Sequence, residues 1–208
     1  CWLNIPLNVQ GAFVETEELS GFDAADYEAG GNGWAGKDGG HRIPEDEAGK
    51  GEHRQVLPEK VDASTACTII DKIRAAKRPV INAGNGIRIA GAHDVFMDVA
   101  EKLGVPVITG WDSEDIMYDT HPLYVGRAGN MGDRPGNFAV QNSDLVLSVG
   151  SRLSIRQVGY NFETWAREAY VIVNDIDEEE LKKPSVHSDM RVHADAKDLL
   201  EQMDLVLD

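Results

Sequence analysis

The sequence predicts an α/β fold built on a parallel, doubly wound sheet, and three observations carry that prediction. Between Val61 and Asp208, short apolar runs alternate with segments whose apolar residues recur at helical spacing. The runs DLVLSVG (Asp144 to Gly150) and AYVIVN (Ala169 to Asn174) are almost wholly apolar, as expected of strands covered on both faces. Glycine or proline punctuates the segments, as at Gly84, Gly104, Gly150 and Pro184. Parallel neighbours need a crossover, usually a helix, and the alternation supplies one each time.

The elements follow in order. Asp62, Ser64 and Thr65 are N-cap candidates for a first helix carrying Ala66, Ile69, Ile70, Ile73 and Ala76. That helix ends before Pro79, because the residue preceding proline is pushed out of the α region. Arg78 to Gly110 then reads as strand, glycine turn, helix, glycine stop and strand. Pro79 to Ala83 is the first strand, and Gly84-Asn85-Gly86 the turn. One helix is expected to carry Ile89, Val95, Phe96, Val99, Ala100 and Leu103 up to Gly104, with a second strand over Val105 to Thr109. From Gly110 to Asn142 the pattern breaks up into loops with one short helix near Pro135. Asp144 to Gly150 is a strand, Ser151 to Arg156 its loop, Phe162 to Ala169 a short helix with Trp165, and Ala169 to Asn174 a strand. Glu178 to Lys183 forms one or two helical turns stopped by Pro184. Met190 to Ala194 alternates as a strand, and Asp195 opens an amphipathic helix through Leu199, Leu200, Met203 and Leu205. The residues themselves give about five strands.

Upstream, the organisation differs. Cys1 to Pro6 looks like a strand lacking partners, read as the tail of a preceding domain. Residues 11 to 60 are rich in Gly, Asp and Glu without aliphatic periodicity and read as an acidic linker or arm, the alternative being a lid carrying Trp34 and His41. The compact domain is placed at 61 to 208.

Composition excludes several functions. The net charge of −16 disfavours nucleic acid as a partner, since phosphate binding needs a basic face. No run approaches the length of a membrane span. The two cysteines, Cys1 and Cys67, form no framework and are expected to be buried free thiols, which suits a cytoplasmic location. HExxH, CxxC, GxSxG and the Walker loop are absent, so the sequence offers no catalytic or metal-ligating constellation. His93, His121, His187 and His193 are scattered and read as structural.

Three features point to a ligand at the strands' carboxyl ends. Gly84-Asn85-Gly86 follows a strand, where backbone N–H groups and a helix start approach a diphosphate. Ile89 occupies the place of the third glycine of a dinucleotide fingerprint, so a ligand-free tight turn stays open. Arg152 and Arg156 follow the strand ending at Gly150 and suit a phosphate or a ring. Asp175 ends a strand where an acid accepts from a ribose hydroxyl, while Asp177, with Glu180 three residues on, reads as a helix cap.

Six segments in order then resemble the central domain of thiamine-diphosphate enzymes of the acetolactate synthase type. They are Cys1 to Gln10, matching the end of the family's pyrimidine-binding domain, Ala76 to Gly86, Ala100 to Thr109, His121 to Gly129, Asn142 to Arg152, and Val173 to Lys183, with Ala194-Asp195 beyond. The resemblance implies a Rossmann-like three-layer domain with about six parallel strands that holds FAD, or ADP in some relatives. It implies Gly84, Asn85 and Gly86 near the ribityl-diphosphate, and Thr109, Gly110 and Trp111 on the isoalloxazine side with Arg127 and Ala128 nearby. It places Gly150, Arg152 and Arg156 at the diphosphate and adenosine end, and Asp175, Ile176 and Asp195 at adenine and ribose. The parent is expected to be a homodimer or homotetramer using thiamine diphosphate and Mg, whose catalytic glutamate and GDG motif lie outside this chain, so that the fragment alone does not turn over. Arg127-Ala128-Gly129 stands where the synthases commonly carry Met-His-Gly, Ser154-Ile155 stands where they carry an acidic pair, and Asn130 to Pro135 is an insert. Two other readings of the fold stay open: an NAD-type module of sirtuin-like fold, and a structural domain without ligand.

Overall fold

The computed structural model describes residues 57–208; the expectations for Cys1 to Gln10 and for most of the 11 to 60 arm lie outside the described residues. Helix α1 (Ala63–Ala75) is capped by Asp62, which accepts from Thr65 N–H at 2.6 Å. Strand β1 (Pro79–Ala83) follows, then α2 (Gly86–Ile89), α3 (His93–Leu103) and β2 (Val107–Thr109). β3 (Tyr124–Arg127), α4 (Arg134–Asn142), β4 (Leu145–Val149) and α5 (Ile155–Val158) come next. A single 3-10 turn (Phe162–Thr164) leads to β5 (Tyr170–Asp175), α6 (Glu178–Lys182), β6 (Met190–His193) and α7 (Ala196–Leu207).

The six strands form one sheet in the order β3-β2-β1-β4-β5-β6, every neighbouring pair parallel. Chain direction across the sheet reverses between β1 and β4, and such a switch point leaves a crevice at the strands' carboxyl ends. Side-chain alternation divides the core accordingly. Ile81, Leu147 and Ile172 face a cluster with Ile69, Ile70, Phe96, Leu199 and Met203 of α1, α3 and α7. Val80, Val146, Val171 and Val173 face a second cluster with Val140, Trp165 and Leu181. An apolar layer lies on each face, which is why the strand runs are apolar throughout.

Several elements differ from the sequence reading. The helix expected between Gly86 and Leu103 is two, broken where Gly91 takes φ +63°. Ile89 ends the short first piece and is 81% exposed instead of lying in the core. β3 is a sixth strand inside the stretch expected to be loops; four residues with a glycine carry too little pattern to read. The helix expected over Phe162 to Ala169 is only the 3-10 turn, although Trp165 is buried. The loop expected over Ser151 to Arg156 instead leads into α5. Cys67 is exposed, not buried, because α1 turns Ala66, Ile69, Ile70 and Ile73 toward the sheet. Leu205 is likewise exposed on α7. No helix among the described residues is long and apolar enough to cross a membrane.

Candidate functional site

All thirteen residues singled out from the sequence lie at or just beyond the carboxyl ends of the six strands. Arg127 ends β3, Thr109 ends β2 and leads into Gly110-Trp111, and Gly84-Asn85-Gly86 follows β1. Gly150, Arg152 and Arg156 follow β4, Asp175-Ile176 closes β5, and Asp195 follows β6 and caps α7 by accepting from Lys197 N–H at 2.8 Å.

At the switch point the two central loops are joined. Gly84 N–H donates to Val149 O and Gly86 N–H to Gly150 O, both at 2.9 Å. A Cβ on Gly84 would stand 2.2 Å from Ser151 Cα, and one on Gly86 would stand 2.7 Å from Gly150 Cα. These glycines therefore have a packing reason of their own, the close approach of one backbone to another. It also occupies two of the amides that the diphosphate reading of the turn would use.

Under this seam runs a buried polar network. Asn82 on β1 pairs in register with Ser148 on β4. Its Nδ2 donates to Ser148 Oγ and Ser151 Oγ, each at 3.0 Å, and its Oδ1 accepts from Gln157 Nε2 at 3.0 Å. Asn82 and Ser148 are fully buried, so these bonds fix the loop after β4 to the middle of the sheet. Sequence reasoning passed over Asn82, Ser148 and Gln157. The available signal was a lone polar residue one place from the end of each of two apolar runs, PVINA and LVLSV.

Toward β2 and β3, the Arg156 guanidinium lies 4.6 Å from the centre of the Trp111 ring. Gly110 N–H donates to Ser113 Oγ at 2.8 Å, and that hydroxyl in turn donates to Ala83 O. Thr109 is buried with its hydroxyl 3.4 Å from Tyr124 OH, and Thr109 O accepts from Ala128 N–H. Arg127 pairs with Glu114 at 2.8 Å, which holds its guanidinium further above its ordinary range. The insert after Gly129 ties into the same corner, because Asn130 N–H donates to Arg156 O at 2.8 Å and Asp133 caps α4.

Toward β5, the chain after β4 takes a costly path. Arg152 and Leu153 both lie in the left-handed region, at φ 59° and 44°. Lys183, at the end of α6, donates to the carbonyls of both and to Glu180 Oε2 at 3.0 Å. Glu180 also accepts from Arg152 Nε at 2.6 Å, so it does not close the capping box read from Asp177. Burial pushes the Glu180 carboxyl up, but Lys183 and Arg152 together hold it below the usual range. Asp175, 8% exposed, accepts from Asp177 N–H at 3.0 Å. Burial, with Glu180 and Asp177 nearby, raises its pKa. Ile176 O accepts from His193 Nε2 at 3.1 Å. The other histidines also meet backbone groups, His93 at Ile116 O, His121 at Leu123 N–H and His187 at Ala169 O.

The structure thus brings the predicted residues together as two groups on either side of a closed seam. Trp111 and Arg156 lie on the β2 side, where Gln157 joins them, and Arg152 and Asp175 on the β5 side, where Glu180 and Lys183 join them. Ile176, next to Asp175, and Asp195, next to the Ala194 whose N–H donates to Asp175 O, lie farther along the β5–β6 edge.

Comparison with known proteins accords with this architecture. Residues 67–203 match the family model described as "Thiamine pyrophosphate enzyme, central domain". Over 139 residues the chain is 35% identical to a probable acetolactate synthase large subunit of Methanococcus aeolicus, covering 67% of this chain and 23% of that protein. It is 32% identical over 145 residues to the acetolactate synthase large subunit of Lactococcus lactis, covering 70% and 25%. It is 34% identical over 108 residues to the sulfoacetaldehyde acetyltransferase of Roseovarius nubinhibens, covering 51% and 18%. The match spans about a quarter of the length of the synthases. The chain belongs to the family of thiamine pyrophosphate enzyme central domains.

Proposed function

We propose that this domain is the nucleotide-holding scaffold of a thiamine-diphosphate-dependent carboligase or lyase acting on 2-oxo acids, with FAD, or failing that ADP, lying across the carboxyl edge of its sheet. The observation that carries the proposal is the gathering of Trp111, Arg156, Arg152 and Asp175 at that edge on both sides of the β1–β4 switch point. Six strands at about 4.8 Å spacing make an edge about 24 Å wide, which suits an extended dinucleotide. The side chains present fit such a group in part. Exposed Arg152 and Arg156 fit phosphates, Trp111 fits a ring, and Asp175 fits a hydroxyl donor. The amides of Gly84 and Gly86 do not, since both are bonded to the β4 loop, so the diphosphate would lie over the seam on arginine side chains.

In the parent, thiamine diphosphate would supply the carbanion chemistry. This domain's residues position a nucleotide and hold neighbouring domains of the same polypeptide, in a homodimer or homotetramer with Mg at the thiamine site. Similarity to acetolactate synthases and to an acetyltransferase supports this class over the NAD-type module. The test is a thermal-shift titration of the chain with FAD, ADP and NAD. FAD or ADP should raise Tm in a saturable way, and Arg152→Ala should weaken that response about tenfold, as loss of a charge-assisted contact does. No response to FAD or ADP would remove the nucleotide from the proposal.

A further inference from the structure

Gln157 is a buried polar side chain of which the network uses only half. It is 5% exposed, and its Nε2 donates to Asn82 Oδ1 at 3.0 Å. Asn82 is itself held by two serine hydroxyls, so the Gln157 amide is oriented from below. No donor among the described residues reaches its Oε1. That oxygen stands 2.8 Å from the point a Cβ on Gly110 would occupy, and it is not among the fully buried side-chain atoms left without a partner, so it keeps access to solvent beside Gly110. Beside it Trp111 is 45% exposed, with the Arg156 guanidinium on its ring. Gly129 closes the same corner, its Cβ position lying 2.4 Å from Arg156 O and 3.0 Å from Gln157 Cα.

A stacking surface, a cation and an outward acceptor held in a fixed direction select one kind of group. A planar nitrogen heterocycle offers a face for Trp111 and Arg156 and an in-plane N–H for Gln157. We infer that Gln157 is a specificity-determining residue, whose Oε1 accepts a hydrogen bond from the imide N–H of a flavin-type ring seated against Trp111, with the rest of the nucleotide running toward Arg152 and Asp175. This rests on the nucleotide reading proposed above. A ring that presents only acceptors or carbon there leaves a desolvated carbonyl unpaired and binds less well.

The test uses the whole 208-residue chain and two variants. Gln157→Met removes the acceptor at nearly constant volume. Gly110→Ala places a methyl 2.8 Å from the position Oε1 now holds, so it covers the acceptor or displaces it. Binding of FAD and ADP is measured by equilibrium dialysis, with riboflavin and N3-methylriboflavin compared by Trp fluorescence quenching. Both variants should bind FAD about tenfold more weakly, the worth of one neutral hydrogen bond left unmade, with ADP unchanged. The N3-methyl compound should bind wild type weakly and be indifferent to Gln157→Met. If wild type binds neither FAD nor ADP, the nucleotide reading fails and this inference with it. If wild type binds both and the variants lose neither, or lose both equally, the role of Gln157 is overturned while nucleotide binding stands. If Gln157→Met melts far below wild type, Gly110→Ala decides alone.

Discussion

Replacing Gly84 by alanine tests the seam at the switch point. The new Cβ would stand 2.2 Å from Ser151 Cα and 2.3 Å from Gly150 O. Carbon atoms rest at about 3.5 Å or more, so the loops must part by roughly 1 Å. The Gly84–Val149 and Gly86–Gly150 bonds, each 2.9 Å, then stretch out of range. Two backbone bonds at about 1 kcal/mol each, with about 1–3 kcal/mol of overpacking, make a loss of about 3–5 kcal/mol. At about 2–4 °C per kcal/mol for a domain of this size, Tm falls by about 6–20 °C. Gly104→Ala is the control, since Gly104 has φ +63° and no heavy atom within 4 Å of its Cβ position. It carries only the left-handed backbone cost of about 1–2 kcal/mol. Urea denaturation of both variants without nucleotide is the measurement. Should Gly84→Ala cost no more than Gly104→Ala, the loops are not in contact and the glycines serve a ligand alone.

Two further outcomes follow from the β5 side. Asp175→Asn keeps an acceptor for Asp177 N–H and removes a carboxylate whose folded pKa is raised by burial. A raised pKa means that ionisation weakens the fold, so the variant should melt above wild type at pH 7 and lose that advantage below about pH 4, where the acid is protonated in both states. An equal melting temperature throughout would contradict the burial. Lys183→Met removes the donor shared by the Arg152 and Leu153 carbonyls and leaves Glu180 with one partner fewer. A loss of about 1–3 kcal/mol in urea denaturation is expected, with slower protease cleavage after Arg152 as the result that would contradict a clamp there.

What the sequence disclosed and what it hid divide along physical lines. Four strands were legible because a strand covered on both faces needs a nearly unbroken apolar run, as Leu145–Val149 shows, and β6 because its residues alternate. β3 was not, because at the sheet's edge Tyr124 and Val125 are only half-covered and Gly126 interrupts the run. The break at Gly91 was hidden because helical spacing continues across it, and only Ile89 pays for the fracture by facing solvent. At the site, strand-end loops could be located from glycines and charges. Partnerships such as Lys183 with the Arg152 turn, or Gln157 with Asn82, join residues 30 and 75 apart and leave no local pattern.

The seam also bears on how the domain folds. β1, β2 and β3 form one half of the sheet and β4, β5 and β6 the other, each assembled from strands adjacent in sequence. Only the β1–β4 pairing joins them, across separations of 66 residues such as Asn82 to Ser148. Closing so long a loop costs entropy before its contacts repay it, which makes union of the halves the slow, non-local event. Alanine at Gly84 therefore distinguishes two orders of assembly. It slows refolding if the halves meet in the transition state, and it only accelerates unfolding if they meet after it.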